Sequence, residues 1–191
     1  AGDFGSFEVL KRLKKISFIR GVYGNIDNHF LRKSLSEFEI FDVEKLKVLM
    51  IHIAGNSKKL LPKVQTLINL HKPNILICGH SHILKIKYLK SKNILYLNPG
   101  AAGKFGFHKI RTMIKFEIVN KEIEKMNIIE LGTDPKFNVF YLLNLLIFDP
   151  FLFLLGKVKV KKVQIDKEKS DDSANISVNC QFCMLKLKSK I

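Results

Sequence analysis

The sequence predicts a mixed α/β (α+β) domain, on three observations. Short apolar runs flank a helical pattern in the first half of the chain, period-two alternation takes over in the second, and three of the apolar runs end in clusters of polar residues. The 191 residues, 47% of them hydrophobic, suffice for one domain with a sizeable core, which excludes a disordered, collagen-like or disulfide-framework chain.

The elements follow in order. The chain opens on a small-residue turn, Ala1-Gly2-Asp3-Phe4-Gly5-Ser6, which reads as the end of a strand whose upstream sequence is missing. Phe7, Leu10 and Leu13 then fall at helical spacing before Lys14-Lys15. Ile16 to Val22 reads as a short buried strand that ends in Tyr23-Gly24-Asn25-Ile26-Asp27, and a charged stretch follows it. Val48-Leu49-Met50-Ile51 is a second strand, ending in His52-Ile53-Ala54-Gly55. Leu60, Leu61, Val64, Leu67, Ile68 and His71 form one helix face, with Pro62 tolerated in the first turn. A third apolar run, Ile75 to Cys78, ends in Gly79-His80-Ser81-His82.

From there the period changes. Leu84, Ile86 and Tyr88 alternate with Lys85 and Lys87, a turn at Lys90 to Asn93 leads to the strand Ile94 to Leu97, and Asn98-Pro99-Gly100 closes it. Ile114, Phe116 and Ile118 alternate next, and after a turn at Asn120-Lys121 the alternation continues to Leu131. The texture breaks after Gly132, so the expected organisation is a domain over 1–132, an apolar segment over 133–156 and a basic, polar tail over 157–191. Phe137 to Leu155 is nearly all apolar, yet Asp149-Pro150 in its middle argues against a membrane span. A docked helical hairpin, a partner-binding segment and poorly folded sequence remain open for it. The alternating Lys157-Val158-Lys159-Val160-Lys161 reads as an exposed edge strand or a basic tail.

Charge and cysteine content bound the setting. The formal net charge of +16 comes from lysines scattered through strands and helices alike, in a chain heavy in Lys, Ile, Asn and Phe and without Trp, so it reflects coding bias and no specific nucleic-acid partner is expected. Cys78, Cys180 and Cys183 are too few for a disulfide scaffold, and no signal-peptide pattern opens the chain, which points to the cytoplasm. Cys180 and Cys183 have the spacing of a metal knuckle, but no second pair of ligands stands near them.

Three apolar runs ending in polar residues carry the chemistry. Strand carboxyl ends converge on one edge of an open α/β sheet, so Asn25, His52, His80 and His82 are expected to meet, with Asp3 joining them. One carboxylate, one amide oxygen and three imidazoles suit Mn, Fe, Zn or Co and not Ca, which takes oxygen alone.

In its order, Gly2-Asp3, Gly24-Asn25-x-Asp27, His52, Gly79-His80-x-His82, Asn98-Pro99-Gly100, this set resembles the calcineurin-like metallophosphoesterases. The short spacing and the Asn-Pro-Gly ending are similar to the small subfamily of bacterial and archaeal phosphodiesterases to which the retromer subunit Vps29 is also related. The resemblance covers roughly residues 1–132. It implies a four-layer αββα β-sandwich flanked by helices, its first strand absent here, and two divalent ions (Mn, or Ni, Fe, Zn or Co). Asp3 would bridge the two ions, Asn25, His52 and His80 would complete the second site, and His82 would serve the first. The first site is expected to be incomplete, because the family's Asp-x-His motif belongs before the start of this chain. Asp27-Asn28-His29 matches that pattern on paper, but it lies downstream of Asp3 and is set aside.

The implied activity is hydrolysis of a phosphodiester or phosphomonoester by a hydroxide held between the ions, with Asp3, Asn25 and His80 at its centre. Ile26 stands where many family members carry a proton-donating His, which favours leaving groups such as an aryl oxide. Asp27 either supports a ligand from behind or caps the following helix, and His108 either faces the phosphate or lies on a surface loop. Asn98 is expected to fix a turn, and His29 and His71 to be solvated or packed. The alternative function is a catalytically impaired scaffold or partner-binding module on the same fold. A homo-oligomer is compatible with either reading.

Overall fold

The computed structural model describes residues 1–106 and 108–132, together with the backbone of the strand at 159–162. The apolar segment Phe137 to Leu155 and the Cys180 and Cys183 pair lie outside the described residues.

Helix α1 spans Phe7–Ile16, with Ser6 as its N-cap accepting from the Val9 N–H, Glu8 in its first turn, and Lys14 and Lys15 in its last. It buries Leu10 and Leu13 against Phe4 and Leu31 in a satellite cluster, to which α2, His29–Ser34, contributes Leu31. Asn28, not Asp27, caps α2, its Oδ1 accepting from the Leu31 N–H at 3.1 Å.

The expected strand from Ile16 to Val22 does not form. Ile16 closes α1, Phe18 is 73% exposed, and only Val22 bridges to a neighbour, Ser36. With one bridging residue this stretch has no continuous partner along which a ladder can grow. The strand that does form in this region, β1 at Phe38–Val43, lay hidden in the stretch read as charged. Its two faces are both apolar: Phe38 and Ile40 pack on one cluster, Phe41 and Val43 in another. A strand with apolar residues on both faces shows no clean alternation.

The remaining elements stand where the pattern put them: β2 at Leu46–Ile51, α3 at Pro62–His71, β3 at Ile75–Ile77, β4 at Leu84–Leu89 and β5 at Ile94–Pro99. Five strands make one sheet in the order β1-β2-β3-β5-β4, with β2, β3 and β5 parallel and both edge strands antiparallel to their neighbours. The β2-α3-β3 crossover lays α3 on one face, where Val64, Leu67 and Ile68 bury against Leu49, Ile51, Leu76, Ile94 and Tyr96. The other face presents Val48, Met50, Ile75, Ile77, Leu95 and Leu97 to a second sheet. That sheet is β6 at Arg111–Val119, β7 at Glu122–Gly132 and β8 at Lys159–Lys162, and it contributes Ile114, Phe116, Ile118, Met126 and Ile128. Two sheets packed face to face, with a helix on the outside of the larger, form the mixed α/β architecture that the sequence predicted. β8 runs antiparallel to β7, so residues 159–162 of the lysine-rich stretch are strand. Among the described residues no helix is long and apolar enough to cross a membrane.

Candidate metal centre

The carboxyl ends of β2, β3 and β5 are neighbours in the sheet, and the polar clusters that end them therefore meet. The Gly79 N–H donates to the His52 carbonyl at 3.0 Å, and the Cys78 N–H donates to Leu97, one residue before Asn98, at 2.9 Å. The loop after Val22 and the chain start come in from the side, bringing Asn25 and Asp3.

Asn25 Oδ1 is the point of convergence. His52 Nε2 and His80 Nδ1 each lie 2.9 Å from it, and the two imidazole rings are 5.2 Å apart. Asp3 Oδ2 is 3.4 Å from His52 Nε2, with both side chains almost wholly buried. The other nitrogen of His52, Nδ1, is 2.7 Å from the Ala1 carbonyl, which can only accept, so Nδ1 carries the proton. In the neutral imidazole Nε2 is then the lone-pair nitrogen, and it faces Asn25 Oδ1 and Asp3 Oδ2. Acceptors crowded in this way are stabilised by a cation among them, and a ligand His held by a backbone carbonyl at its far nitrogen is the usual support for one. The residues present thus fit a divalent ion through mixed oxygen and nitrogen donors. Among the described residues no three His, Cys, Asp or Glu side chains form a group that could hold a metal ion; the convergence here runs through the amide oxygen of Asn25.

His82 lies to the side of this point, paired with His108, their ring centroids 5.6 Å apart. His108 Nε2 donates to the Gly103 carbonyl at 2.9 Å; among the described residues its Nδ1 and His82 Nδ1 are buried without a hydrogen-bond partner. Burial lowers the His82 pKa from its ordinary value, His108 lowers it further, Asp3 opposes this, and His80 and His52 add smaller decreases. The neutral imidazole is the form that binds a metal.

Three of the ten non-glycine residues with positive φ among the described residues lie at the site. Asp3, His80 and His82 take left-handed φ values of 57°, 65° and 57°. Such conformations cost non-glycine residues on the order of 1 kcal/mol each and persist where surrounding bonds impose them. Asn98 imposes one of them: buried at the end of β5, its Nδ2 donates to the Gly79 carbonyl at 2.8 Å and to Ser81 Oγ at 3.0 Å, holding the turn that carries His80. Its Oδ1 also accepts from the Gly100 N–H at 3.0 Å, the turn role expected of it.

Asp27 shapes the other side. Its Oδ2 accepts from the N–H groups of Asp3 at 2.9 Å and Gly24 at 2.8 Å, and Oδ1 from Gly5 at 3.4 Å. Of its two expected roles, helix capping belongs to Asn28, and Asp27 ties the Asp3 turn to the Asn25 loop. Gly24 is glycine because of this closeness, since a Cβ there would lie 1.9 Å from Asp3 Oδ1. Arg32 has no sequence signal and completes the arrangement. From α2 its Nε donates to the Asp27 carbonyl at 2.8 Å, and its Nη2 to the carbonyls of Gly24 at 3.1 Å and Asn25 at 2.9 Å. Its only marker is a place one turn into the helix that follows the Gly-Asn loop, and nothing local says that a guanidinium there folds back. His29 is exposed on α2, and His71 is half-buried at the end of α3.

Comparison with known proteins bears on the family and the fold. The sequence model of the calcineurin-like phosphoesterase superfamily domain matches residues 1–121. Among curated proteins none matches significantly. Among solved structures, Vps29 of Chaetomium thermophilum superposes with a TM-score of 0.56 at 16% identity, over 83% of this chain and 74% of that one. A single-residue variant of Vps29 from Entamoeba histolytica gives 0.55 at 18% identity, over 85% and 76%. The wild-type protein of that organism, crystallised with zinc, gives 0.53 at 18% identity, over 83% and 76%. At these identities the structures establish a shared fold. By its sequence over residues 1–121, carried on that fold, the chain belongs to the calcineurin-like phosphoesterase superfamily.

Proposed function

We propose that the chain is a metal-dependent phosphodiesterase, active on phosphodiesters or phosphomonoesters. The observation that carries the reading is the meeting of His52 Nε2 and His80 Nδ1 on Asn25 Oδ1 at 2.9 Å, with Asp3 beside them. Asp3, Asn25, His52 and His80 would hold one divalent ion, and His82 with Asp3 would contribute to a second; Mn leads the candidates, followed by Ni, Fe, Zn and Co. Bound there, such ions would supply positive charge to the ester's phosphoryl oxygens and acidify a water for attack on phosphorus.

The chain's own groups do the rest. Asp27 and Arg32 keep Asp3 and Asn25 in place, so the acceptors are prearranged. Asn98 does the same for the His80 turn. Ile26 has no proton to give, so departure is left to leaving groups that are stable as anions, an aryl oxide above all. His108 faces the site through His82. Three cysteines in the whole chain are too few for a disulfide framework, which suits a reducing compartment, and we place the protein in the cytoplasm.

Ile26 also supports a second reading, a binding module on this fold in which catalysis is lost. Hydrolysis of a bis-aryl phosphodiester with and without added Mn separates the two, run beside His80→Ala. Mn-dependent turnover that disappears in the variant is the expected result. Turnover equal in both proteins would refute the site, and none in either would favour the binding module.

A further inference from the structure

We infer that His108 is a metal ligand, its Nδ1 holding the second divalent ion together with His82 Nδ1. The assignment rests on the metal-dependent reading proposed above and adds a donor to it. Three observations carry it. Among the described residues both Nδ1 atoms are buried without a hydrogen-bond partner, although buried polar atoms are nearly always paired. The two nitrogens also border the same space. A Cβ added to Gly106 would lie 2.3 Å from His82 Nδ1 and 2.8 Å from His108 Nδ1, and the ring centroids are 5.6 Å apart. Gly106 keeps that space open, at a φ of 141° that a side chain would strain.

The third observation is at the far side of the His108 ring. Its Nε2 donates to the Gly103 carbonyl at 2.9 Å, so in the neutral ring Nδ1 is the lone-pair nitrogen. His52 is held in the same way, with Nδ1 on the Ala1 carbonyl at 2.7 Å, and a backbone carbonyl at the outer nitrogen fixes which nitrogen a ligand histidine presents. A proton on one of the two facing nitrogens would make a donor and acceptor of the pair, yet no hydrogen bond links them. A cation satisfies both at once. The pair also adjoins the centre at Asn25, since Asp3, His80 and His52 all act electrostatically on His82. Two imidazoles suit a borderline ion such as Zn, Co or Ni better than Mn. Among the described residues no third His, Cys, Asp or Glu completes a group with them, so the remaining positions fall to oxygen ligands from outside that set.

The test is a titration of the whole chain with zinc, followed by calorimetry and by the NMR signals of labelled histidine ring nitrogens. The chain has six histidines, few enough for single substitutions to assign every signal. Zinc should move the Nδ1 signals of both His82 and His108 and leave those of His29 and His71 in place. His108→Phe keeps a ring without nitrogens and should weaken one binding event by at least about tenfold. The other event, which His80→Ala removes, should be unchanged and shows that the variant is folded. Gly106→Ala should weaken the same event as His108→Phe without removing any donor. Zinc that moves His52, His80 and His82 but not His108, with no loss of affinity in His108→Phe, would overturn this inference and leave the metal centre standing. Zinc that moves only His82 and His108 would uphold it and overturn the centre at Asn25. No movement of any of the four would overturn both.

Discussion

Replacing Asp27 by alanine removes the acceptor on which the Asp3 turn and the Asn25 loop both hang. The carboxylate is 4% exposed and takes two short bonds, from Asp3 N–H at 2.9 Å and Gly24 N–H at 2.8 Å, and a longer one from Gly5 at 3.4 Å. Bonds to a charged acceptor contribute about 1.5–3 kcal/mol each, and the donors left behind are only partly reachable by water. Discounting for relaxation of the chain start, the loss comes to about 2–4 kcal/mol, a large part of a typical domain's ~5–15 kcal/mol. In thermal unfolding of the metal-free protein this is a fall of roughly 4–16 °C. Asp27→Asn keeps an oxygen for the two short bonds and turns an amide donor towards Gly5, so it should lose only about 1 kcal/mol. Because Asp27 holds the backbone of Asp3 and of Gly24, next to Asn25, calorimetric titration with Mn should show affinity falling about 10–100-fold in the alanine variant. An alanine variant within 0.5 kcal/mol of wild type, with unchanged Mn affinity, would show that the carboxylate does not organise the site.

Three further outcomes are expected. His80→Ala should lose Mn on dialysis while His71→Ala, at the end of α3, retains it; equal retention by metal analysis would sink the ligand assignment. Gly24→Ala should displace Asp3, since the added Cβ would lie 1.9 Å from its Oδ1; a loss of about 1–3 kcal/mol in urea unfolding, together with weakened Mn binding, is the signature of that clash. Tyr96 donates to the Gly55 carbonyl at 3.1 Å, and burial, the largest cause, raises its phenol pKa far above the ordinary value. The folded state therefore resists ionisation more than the unfolded chain does, so this group's stability contribution is complete below pH ~10 and is lost above it, at about 1.4 kcal/mol per pH unit. Tyr96→Phe should cost about 1 kcal/mol at neutral pH and flatten that alkaline decline; an unchanged decline would place its origin elsewhere.

Local patterns carried much of the architecture. The apolar runs at β2, β3 and β5, the amphipathic α1 and α3 and the alternation of β4, β6 and β7 are properties of a few consecutive residues, because side-chain period and burial are set within one element. The chemical types of the candidate ligands, and their placement after apolar runs, are equally local, so Asn25, His52, His80 and His82 could be named before any fold was known. Other features depended on partners distant along the chain. Whether 16–22 or 38–43 becomes a strand is decided by which stretch finds a neighbour, and β1 finds β2 over its whole length while Val22 finds only Ser36. Asp27 reaches Asp3 across 24 residues, His52 reaches Asn25 across 27, and His80 reaches the same oxygen across 55. The return of Arg32 to the carbonyls of its own loop and the left-handed turns at Asp3, His80 and His82 belong to the same class. No spacing rule encodes them, because a hydrogen bond or an apolar contact depends on separation in space, and separation in space is defined only once the sheets have packed and brought their strand ends to a common edge.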